Sequence, residues 1–202
     1  MKTNVVICGI GGQGNILASG LMGSALVEKG YKVAVGETYG ASQRGGSVMS
    51  HLRVSDDIER GVLIPEGKAD IVVAFEPVEA LRILRVYGNP ETKVIYDTRP
   101  AYPLGVLIGE DEYPPLADIE EEIKSRSAGS FPLAATEMAV DAGNAKVANI
   151  IMMGALAAFD EMPLEPEDFY KVLEQNFKGK VLELNKKVFM TGYNAIRERS
   201  EK

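Results

Sequence analysis

The stretch that decides the fold is residues 5–14, VVICGIGGQG, close to the start of the chain. Its first four residues are apolar and mostly β-branched, which is typical of a strand buried on both faces of a parallel sheet. Glycines follow at once. Residues 15–29 then continue without proline, and Gly30 ends this segment as a helix C-cap does. The order of strand, glycine-rich turn and helix therefore predicts an α/β protein.

The rest of the chain extends this pattern. Further strands are predicted at residues 32–37, 47–55, 71–75, 94–96 and 130–135, and helices at residues 77–86, 136–142, 146–159, 168–177 and 181–197. The first three elements predict a βαβ unit with parallel pairing, and residues 71–96 predict a second one. Residues 47–55 alternate between apolar and polar, which predicts a half-buried strand with one polar face.

These elements predict a Rossmann-like, mostly parallel sheet flanked by helices, with one antiparallel strand and a helical C-terminal layer. Residues 110–122 hold seven acidic residues and no basic residue. They are interpreted as a charged surface segment that leads into a short helix capped near Asp118. The chain has 202 residues, which favours a single domain over 1–202.

Composition excludes several classes of protein. The formal net charge is −7, which disfavours binding to nucleic acid or to an anionic membrane surface. One cysteine and one histidine are too few for an iron–sulfur cluster or a structural zinc site. The first residues lack the pattern of a signal peptide, and the longest apolar stretch, 147–159, is shorter than the roughly 20 residues that span a bilayer. A cytoplasmic protein is expected.

Gly9, Gly11 and Gly14 form a G-x-G-x-x-G motif directly after a predicted strand and before a helix. Such a turn presents backbone N–H groups to an anion, with the positive end of the helix dipole behind them. Glu37, 23 residues after Gly14, lies near the place where dinucleotide-binding folds present an acid to a ribose hydroxyl. A second interpretation stays open, in which the glycines only permit a sharp turn and close packing.

A second glycine-rich segment runs from Tyr39 to Ser47 and holds one guanidinium, that of Arg44. Arginine offers a planar fork of donors that suits carboxylate, phosphate or backbone carbonyl groups. The segment is interpreted either as a recognition loop or as an ordinary crossover with a solvated arginine. His51 is expected to be a structural or interface histidine and Cys8 a small buried hydrophobe. Asn149, inside an apolar helix, requires a hydrogen-bond partner or a helix contact.

These segments together resemble the gamma-type subunits of 2-oxoacid:ferredoxin oxidoreductases, the pyruvate/ketoisovalerate oxidoreductase family. The Ser-Gln-Arg-Gly-Gly-Ser run at 42–47 is most similar to the small beta subunits of the indolepyruvate members. The resemblance covers nearly the whole chain. It is carried by residues 11–18, 39–48, 50–53, 149–156 and 185–192.

The resemblance implies a division of labour between chains. Thiamine diphosphate, Mg²⁺ and four-iron clusters would lie on partner subunits, with coenzyme A as co-substrate and ferredoxin as electron acceptor. This chain would hold none of them alone, and no Gly-Asp-Gly segment begins a thiamine diphosphate motif here. The substrate would be an arylpyruvate such as indolepyruvate.

No residue is assigned as acid, base or nucleophile. A turn facing the partner or an anionic group of a cofactor is predicted from Gly9, Gly11, Gly12, Gln13 and Gly14. The neighbouring interface or substrate-proximal residues are Tyr39, Gln43, Arg44, Gly45, Gly46 and Asn149. The alternative function is an autonomous dinucleotide-binding oxidoreductase or regulatory module. An isolated chain is expected to self-associate, and the sequence leaves open whether a homodimer forms.

Overall fold

The computed structural model describes residues 1–37, 45–57, 61–102 and 104–200. Strands and helices alternate along most of this length, and helices dominate the C-terminal third. The strands are β1 (Lys2–Ile10), β2 (Lys32–Glu37), β3 (Ser47–Ser55), β4 (Ile71–Ala74), β5 (Lys93–Asp97) and β6 (Gly129–Leu133). The helices are α1 (Asn15–Glu28), α2 (Pro77–Tyr87), α3 (Leu104–Leu107), α4 (Leu116–Arg126), α5 (Ala135–Asp141), α6 (Ala148–Ala157), α7 (Pro166–Asn176) and α8 (Gly179–Ser200), with a 3-10 turn at Ala145–Val147 before α6.

The six strands form one sheet in the order β2-β3-β1-β4-β5-β6. The β1, β4, β5 and β6 strands run parallel, and β3 is antiparallel to both of its neighbours. The predicted mostly parallel sheet with one antiparallel strand is therefore confirmed. The βαβ unit formed by β4, α2 and β5 is confirmed as well.

The β1 and β2 strands run in the same direction, as the predicted βαβ unit requires, but they are not neighbours, because the antiparallel β3 strand lies between them and the sheet is not parallel there. The β3 strand pairs with β1 over nine residues, from Lys2 opposite Ser55 to Ile10 opposite Ser47. Most of β3 is buried, whereas β2 is only partly covered. The longer strand, β3, takes the inner position, and β2 is the edge strand.

Each face of the sheet carries its own hydrophobic core, because side chains alternate along a strand. Val5 and Ile7 of β1 pack with α1, α6 and α8, together with α5 and α7. Val6 and Cys8 pack on the opposite face with α2 and α4. This double burial explains the nearly continuous apolar run at the start of the chain.

The two helices α6 and α8 approach each other through glycine. A Cβ placed on Gly154 would lie 1.9 Å from the carbonyl oxygen of Phe189, and one on Gly192 would lie 1.8 Å from that of Ile151. Both distances are far below van der Waals contact, so only glycine permits this approach. We call this contact, defined by Gly154 and Gly192, the glycine seam.

Two features of the acidic region differ from expectation. The α4 helix begins at Leu116 with Pro115 at its N-cap, so the predicted cap near Asp118 is wrong. Asp118 lies instead in the first turn, where a carboxylate interacts favourably with the helix dipole. The four-residue helix α3 was not predicted. No helix in the described ranges is long and apolar enough to cross a bilayer.

Candidate functional site at the carboxyl edge of the sheet

The glycine-rich turn joins the end of β1 to the start of α1. Gly12 and Gly14 have φ values of 105° and 88°, a region that side chains with a Cβ rarely adopt. Gly14 is the N-cap of α1, and no side chain caps this helix. The first N–H groups of a helix have no partner within it. The turn therefore presents the first N–H groups of α1 at the positive end of the helix dipole.

Gln13 holds the turn in place. Its side-chain carbonyl accepts a hydrogen bond from the backbone N–H of Ile10 at 2.6 Å, and its amide nitrogen donates to the carbonyl of Phe75 at 2.8 Å. Ile10 ends β1, and Phe75 directly follows β4. The Gln13 side chain therefore connects the ends of two neighbouring parallel strands, which is a structural task more than a ligand-binding one.

The second glycine-rich segment returns to the same turn. The N–H of Gly11 donates to the carbonyl of Gly46 at 2.8 Å, and the N–H of Gly45 donates to the carbonyl of Gly11 at 3.3 Å. These two bonds bring the two segments named by the sequence together. Three further residues predicted for this site, Tyr39, Gln43 and Arg44, lie outside the described residues.

A cavity of about 300 Å³ lies on the β2 side of the turn, and we call it the Glu37 cavity. The carboxylate of Glu37 accepts hydrogen bonds from the hydroxyls of Ser19 and Ser50, both at 2.5 Å. Asn15 also lines the cavity and is 4% exposed. Neither polar atom of its side-chain amide has a hydrogen-bond partner among the described residues. Sequence reasoning did not single out Asn15.

A larger crevice of about 510 Å³ lies on the β4 side of the turn, and we call it the Lys146 crevice. It lies at the carboxyl ends of β1, β4 and β5. The β3 and β2 strands lie on one side of β1, and the β4, β5 and β6 strands lie on the other, so the strand order changes direction at β1. Open α/β sheets place their ligands at such a point. Polar side chains around the crevice come from Gln13, Asp97, Thr136, Lys146 and Asn149.

Asn149 packs against the turn itself. A Cβ on Gly14 would lie 2.5 Å from the amide nitrogen of Asn149, so a side chain at position 14 would displace that amide. This is a contact between the starts of α6 and α1, which agrees with the predicted helix contact. Asn149 is 5% exposed, and its amide makes no hydrogen bond within the described part of the chain.

Asp97, at the end of β5, anchors the start of α5. Its carboxylate accepts hydrogen bonds from the backbone N–H of Thr136 at 3.1 Å, from the Thr136 hydroxyl, and from the N–H of Arg99 at 3.3 Å. Burial raises the pKa of Asp97, and the hydrogen bonds from Thr136 and Arg99 oppose this rise. The residue therefore acts in place of a side-chain cap on α5.

Two buried carboxylates at the start of α2 were missed by sequence reasoning. Glu76, the N-cap, accepts from the N–H of Glu79 at 2.8 Å and from the hydroxyl of Tyr113. Glu79 accepts from the hydroxyl of Ser47 at 2.6 Å and from the guanidinium of Arg82 at 2.5 Å. Glu76, Pro77 and Glu79 indicate a helix start in the sequence. Their hydrogen-bond partners Tyr113 and Ser47 are distant in the chain, so the sequence does not indicate these contacts.

These two carboxylates fasten different segments to α2. Glu79 holds Ser47, which follows directly on Gly45 and Gly46, and so anchors one end of the second glycine-rich segment. Glu76 holds Tyr113 of the acidic region. Burial is the main cause that raises the pKa of Glu76, while the hydrogen bond from Tyr113 opposes this rise.

His51 and Cys8 have structural roles, as expected. Nδ1 of His51 accepts a hydrogen bond from the N–H of Ile64 at 3.2 Å, and the ring packs edge-on against Tyr87. Burial lowers the pKa of His51, with a further contribution from Arg53. Its 3% exposure shows that the predicted polar face of β3 is covered here. The Cys8 thiol is fully buried, and burial raises its pKa.

The described residues contain no group of three or more His, Cys, Asp or Glu side chains that could hold a metal ion. The donor set within this part of the chain therefore does not fit an iron–sulfur cluster, which takes several thiolates. Among the described residues, the edge of the sheet offers a turn rich in N–H groups, the ammonium group of Lys146, the buried and unpaired amide of Asn15, and the amide of Asn149.

Comparison with known proteins identifies the family. Residues 4–195 match the family of pyruvate ferredoxin/flavodoxin oxidoreductases. The chain belongs to this family. It is 39% identical over 196 residues to the indolepyruvate oxidoreductase subunit IorB of Pyrococcus horikoshii, covering 96% of both chains. It is 38% identical to IorB of Archaeoglobus fulgidus, over 96% of this chain and 95% of that one.

Solved structures of the family share the fold. The pyruvate oxidoreductase subunit PORC of Thermotoga maritima aligns with a TM-score of 0.72 at 20% identity, over 96% of each chain. A 2-oxoglutarate:ferredoxin oxidoreductase chain of Magnetococcus marinus aligns with a TM-score of 0.76 at 22% identity, over 98% of this chain and 31% of that chain. The resemblance read from the glycine-rich segments is confirmed at the level of family and fold.

Proposed function

We propose that this chain is the small subunit of a 2-oxoacid:ferredoxin oxidoreductase that oxidatively decarboxylates indolepyruvate or another arylpyruvate to its acyl-CoA. The observation that carries this proposal is the 39% identity to an indolepyruvate oxidoreductase subunit over 96% of both chains. Thiamine diphosphate, Mg²⁺ and four-iron clusters would be held by the companion subunit, and ferredoxin would take the electrons. The whole chain, residues 1–202, would act as one domain in the cytoplasm.

The donor set of the chain supports this division of labour. Its single cysteine is buried in β1, whereas a four-iron cluster takes four thiolates. Exposed apolar side chains close to the turn, Ile16 and Leu17 on α1, are suited to contact with a companion subunit. Without that companion, the same surface would favour self-association.

The turn from Gly9 to Gly14, with Gly45 and Gly46 bonded to it, is proposed to face the companion subunit or an anionic group of its cofactors. Arg44 would extend from the same segment and pair with a carboxylate or phosphate. Arg44→Ala should therefore weaken assembly or lower turnover of the complex and leave the stability of the chain unchanged. Arg85→Ala is the matched control, because the Arg85 side chain is 58% exposed and its ion pair among the described residues is a long surface contact with Glu122 at 3.7 Å.

The proposal is tested by co-expressing the chain with its companion reading frames, purifying the complex and assaying 2-oxoacid-dependent reduction of a viologen dye. We expect turnover by the complex, loss of turnover without thiamine diphosphate, and a higher kcat/KM for indolepyruvate than for pyruvate. Turnover by the pure single chain, or failure of any thiamine-dependent partner to co-purify, would contradict the proposal. Equal kcat/KM values would contradict only the arylpyruvate assignment.

A second candidate function, autonomous nucleotide binding, is favoured by one observation. The amide of Asn15 is buried and without a partner beside the Glu37 cavity, and such a group is expected to meet a polar ligand. Against it, the carboxylate of Glu37 already accepts two serine hydroxyls. Equilibrium dialysis of the chain with nicotinamide and flavin nucleotides separates the two functions, since stoichiometric binding would favour the autonomous module.

A further inference from the structure

The Lys146 crevice adds a basic side chain, that of Lys146, to the glycine-rich turn and Asn149, which the sequence singled out. Its polar lining combines an exposed lysine with Asn149, which is 5% exposed as a residue and whose amide has no hydrogen-bond partner in the described ranges. An unpaired amide that lines a crevice can donate a hydrogen bond to a ligand there.

Two helices begin at this crevice. Gly12 and Gly14, at the start of α1, line one wall, and Ala148 and Asn149, at the start of α6, line the other. The α1 helix has no side-chain cap, and α6 continues from the 3-10 turn at Ala145–Val147, which the Asn144 side chain caps. Because each helix N-terminus carries a partial positive charge of about half an elementary charge, both dipoles favour an anion in the space between them.

Lys146 adds a full charge to these two dipoles. Its turn is held by Asn144, whose side-chain oxygen accepts a hydrogen bond from the backbone N–H of Lys146 at 3.0 Å. The Lys146 ammonium group forms no ion pair with the described residues, so it is available to a ligand. A lysine beside a helix N-terminus is a common arrangement for binding phosphate.

Asp97 is the single carboxylate on the crevice wall among the described residues. Its oxygens already accept hydrogen bonds from the Thr136 hydroxyl and from the backbone N–H groups of Thr136 and Arg99. The Glu37 cavity, on the other side of the turn, has a carboxylate and no basic side chain in its described lining. The balance of charge therefore favours the Lys146 crevice as the place for an anion.

We propose that the Lys146 crevice is a binding site for a phosphate group, with Lys146 as the charge partner and the Asn149 amide as a hydrogen-bond donor. The site deepens the proposed function by naming where on this chain an anionic ligand binds. Inorganic phosphate and the phosphates of a larger ligand share this chemistry. The crevice volume of about 510 Å³ leaves room for more than the phosphate group itself.

The test is calorimetric titration of the full chain with inorganic phosphate, pyrophosphate and ADP at constant ionic strength, since salt screens surface charge. We expect saturable binding of phosphate or pyrophosphate. Tighter binding of ADP than of pyrophosphate would identify the source as a nucleotide. Lys146→Ala should weaken binding about tenfold or more, which corresponds to one lost charge-assisted hydrogen bond. Asn149→Asp, with almost the same shape, should abolish binding by adding a negative charge.

Two control variants make the result decisive. Lys187→Ala removes an exposed lysine on α8 that is not part of the crevice lining, and should leave the affinity unchanged. Asn15→Ala alters the Glu37 cavity and should also leave it unchanged. Circular dichroism establishes that each variant is folded. Because Lys146 is exposed, its variant tests the site even if Asn149→Asp fails to fold.

The proposal is overturned if no saturable binding occurs up to about 10 mM phosphate or pyrophosphate, where even a millimolar site would be mostly occupied. It is also overturned if Lys146→Ala binds like the unaltered chain, or if Asn15→Ala alone removes binding. The titration needs no partner subunit and no turnover. Its failure is therefore distinguishable from a failure of the complex to assemble.

Discussion

The glycine seam and the turn after β1 both depend on glycine, but for two different physical reasons. At the seam, the helical backbone conformation suits any residue, and the constraint is space: a Cβ on Gly192 would lie 1.8 Å from a carbonyl oxygen. At Gly12 nothing lies within 4 Å of an added Cβ, and the constraint is a φ of 105°. The seam is therefore a packing feature of the core, and the turn is a conformational feature that leaves the sheet edge open.

The largest effect is expected at the seam. Gly192→Ala forces α6 and α8 apart within the larger hydrophobic core, and overpacking of this kind costs about 3 kcal/mol or more of unfolding free energy. Urea denaturation measures the loss. Gly20→Ala is the control, because Gly20 lies inside α1 with nothing within 4 Å of an added Cβ, and alanine there should stabilise the helix by up to about 1 kcal/mol. Equal effects of the two substitutions would contradict the seam.

A smaller effect is expected at Gly14, where conformation and contact act together. Gly14→Ala places a Cβ at a positive φ, which costs about 1–2 kcal/mol, and it also displaces the amide of Asn149. Urea denaturation of Gly14→Ala, Asn149→Ala and the double variant separates the two contributions. The double variant should be more stable than the sum of the single effects predicts. Simple additivity would show that the contact with Asn149 contributes nothing.

The smallest effect is a pH dependence at the sheet edge, which the apolar seam lacks. Burial raises the pKa of Glu76 above its ordinary value of 4.5, so the folded chain binds a proton before the unfolded chain does. As the pH falls from 7 towards 4.5, the unaltered chain should therefore gain stability relative to Glu76→Gln. The gain cannot exceed about 1.4 kcal/mol per pH unit. Thermal melts across this range measure it, and parallel stability curves would contradict the assignment.

Prediction from sequence succeeded where the signal is local. The apolar run at residues 5–8, the turn and α1 follow from β-branched residues, glycine and the absence of proline within a short stretch. The unit from Ile71 to Asp97 was predicted for the same reason, with Pro77 marking the start of α2. The start of α4 was misplaced because Asp118 is also a good first-turn residue, and one acidic side chain does not distinguish the two positions.

Prediction failed where the signal is a partner far along the chain. The position of β2 at the edge follows from the pairing of β3 with β1, from Lys2 opposite Ser55 to Ile10 opposite Ser47, which joins segments far apart in the sequence. The roles of Glu76 and Glu79 depend on Tyr113 and Ser47, 37 and 32 residues away. The sequence shows these residues but not the contacts between them.

For the site, the sequence by itself determined the glycine-rich turn after β1 and the second glycine-rich segment, because positive φ and uncapped helix starts leave a readable pattern of glycines. Only the tertiary structure decided that Gly11 bonds to Gly45 and Gly46, that Asn149 meets Gly14, and that the turn is flanked by two unlike cavities. These contacts join strands and helices that are distant in sequence, and they form only when the sheet and the two helix layers pack together.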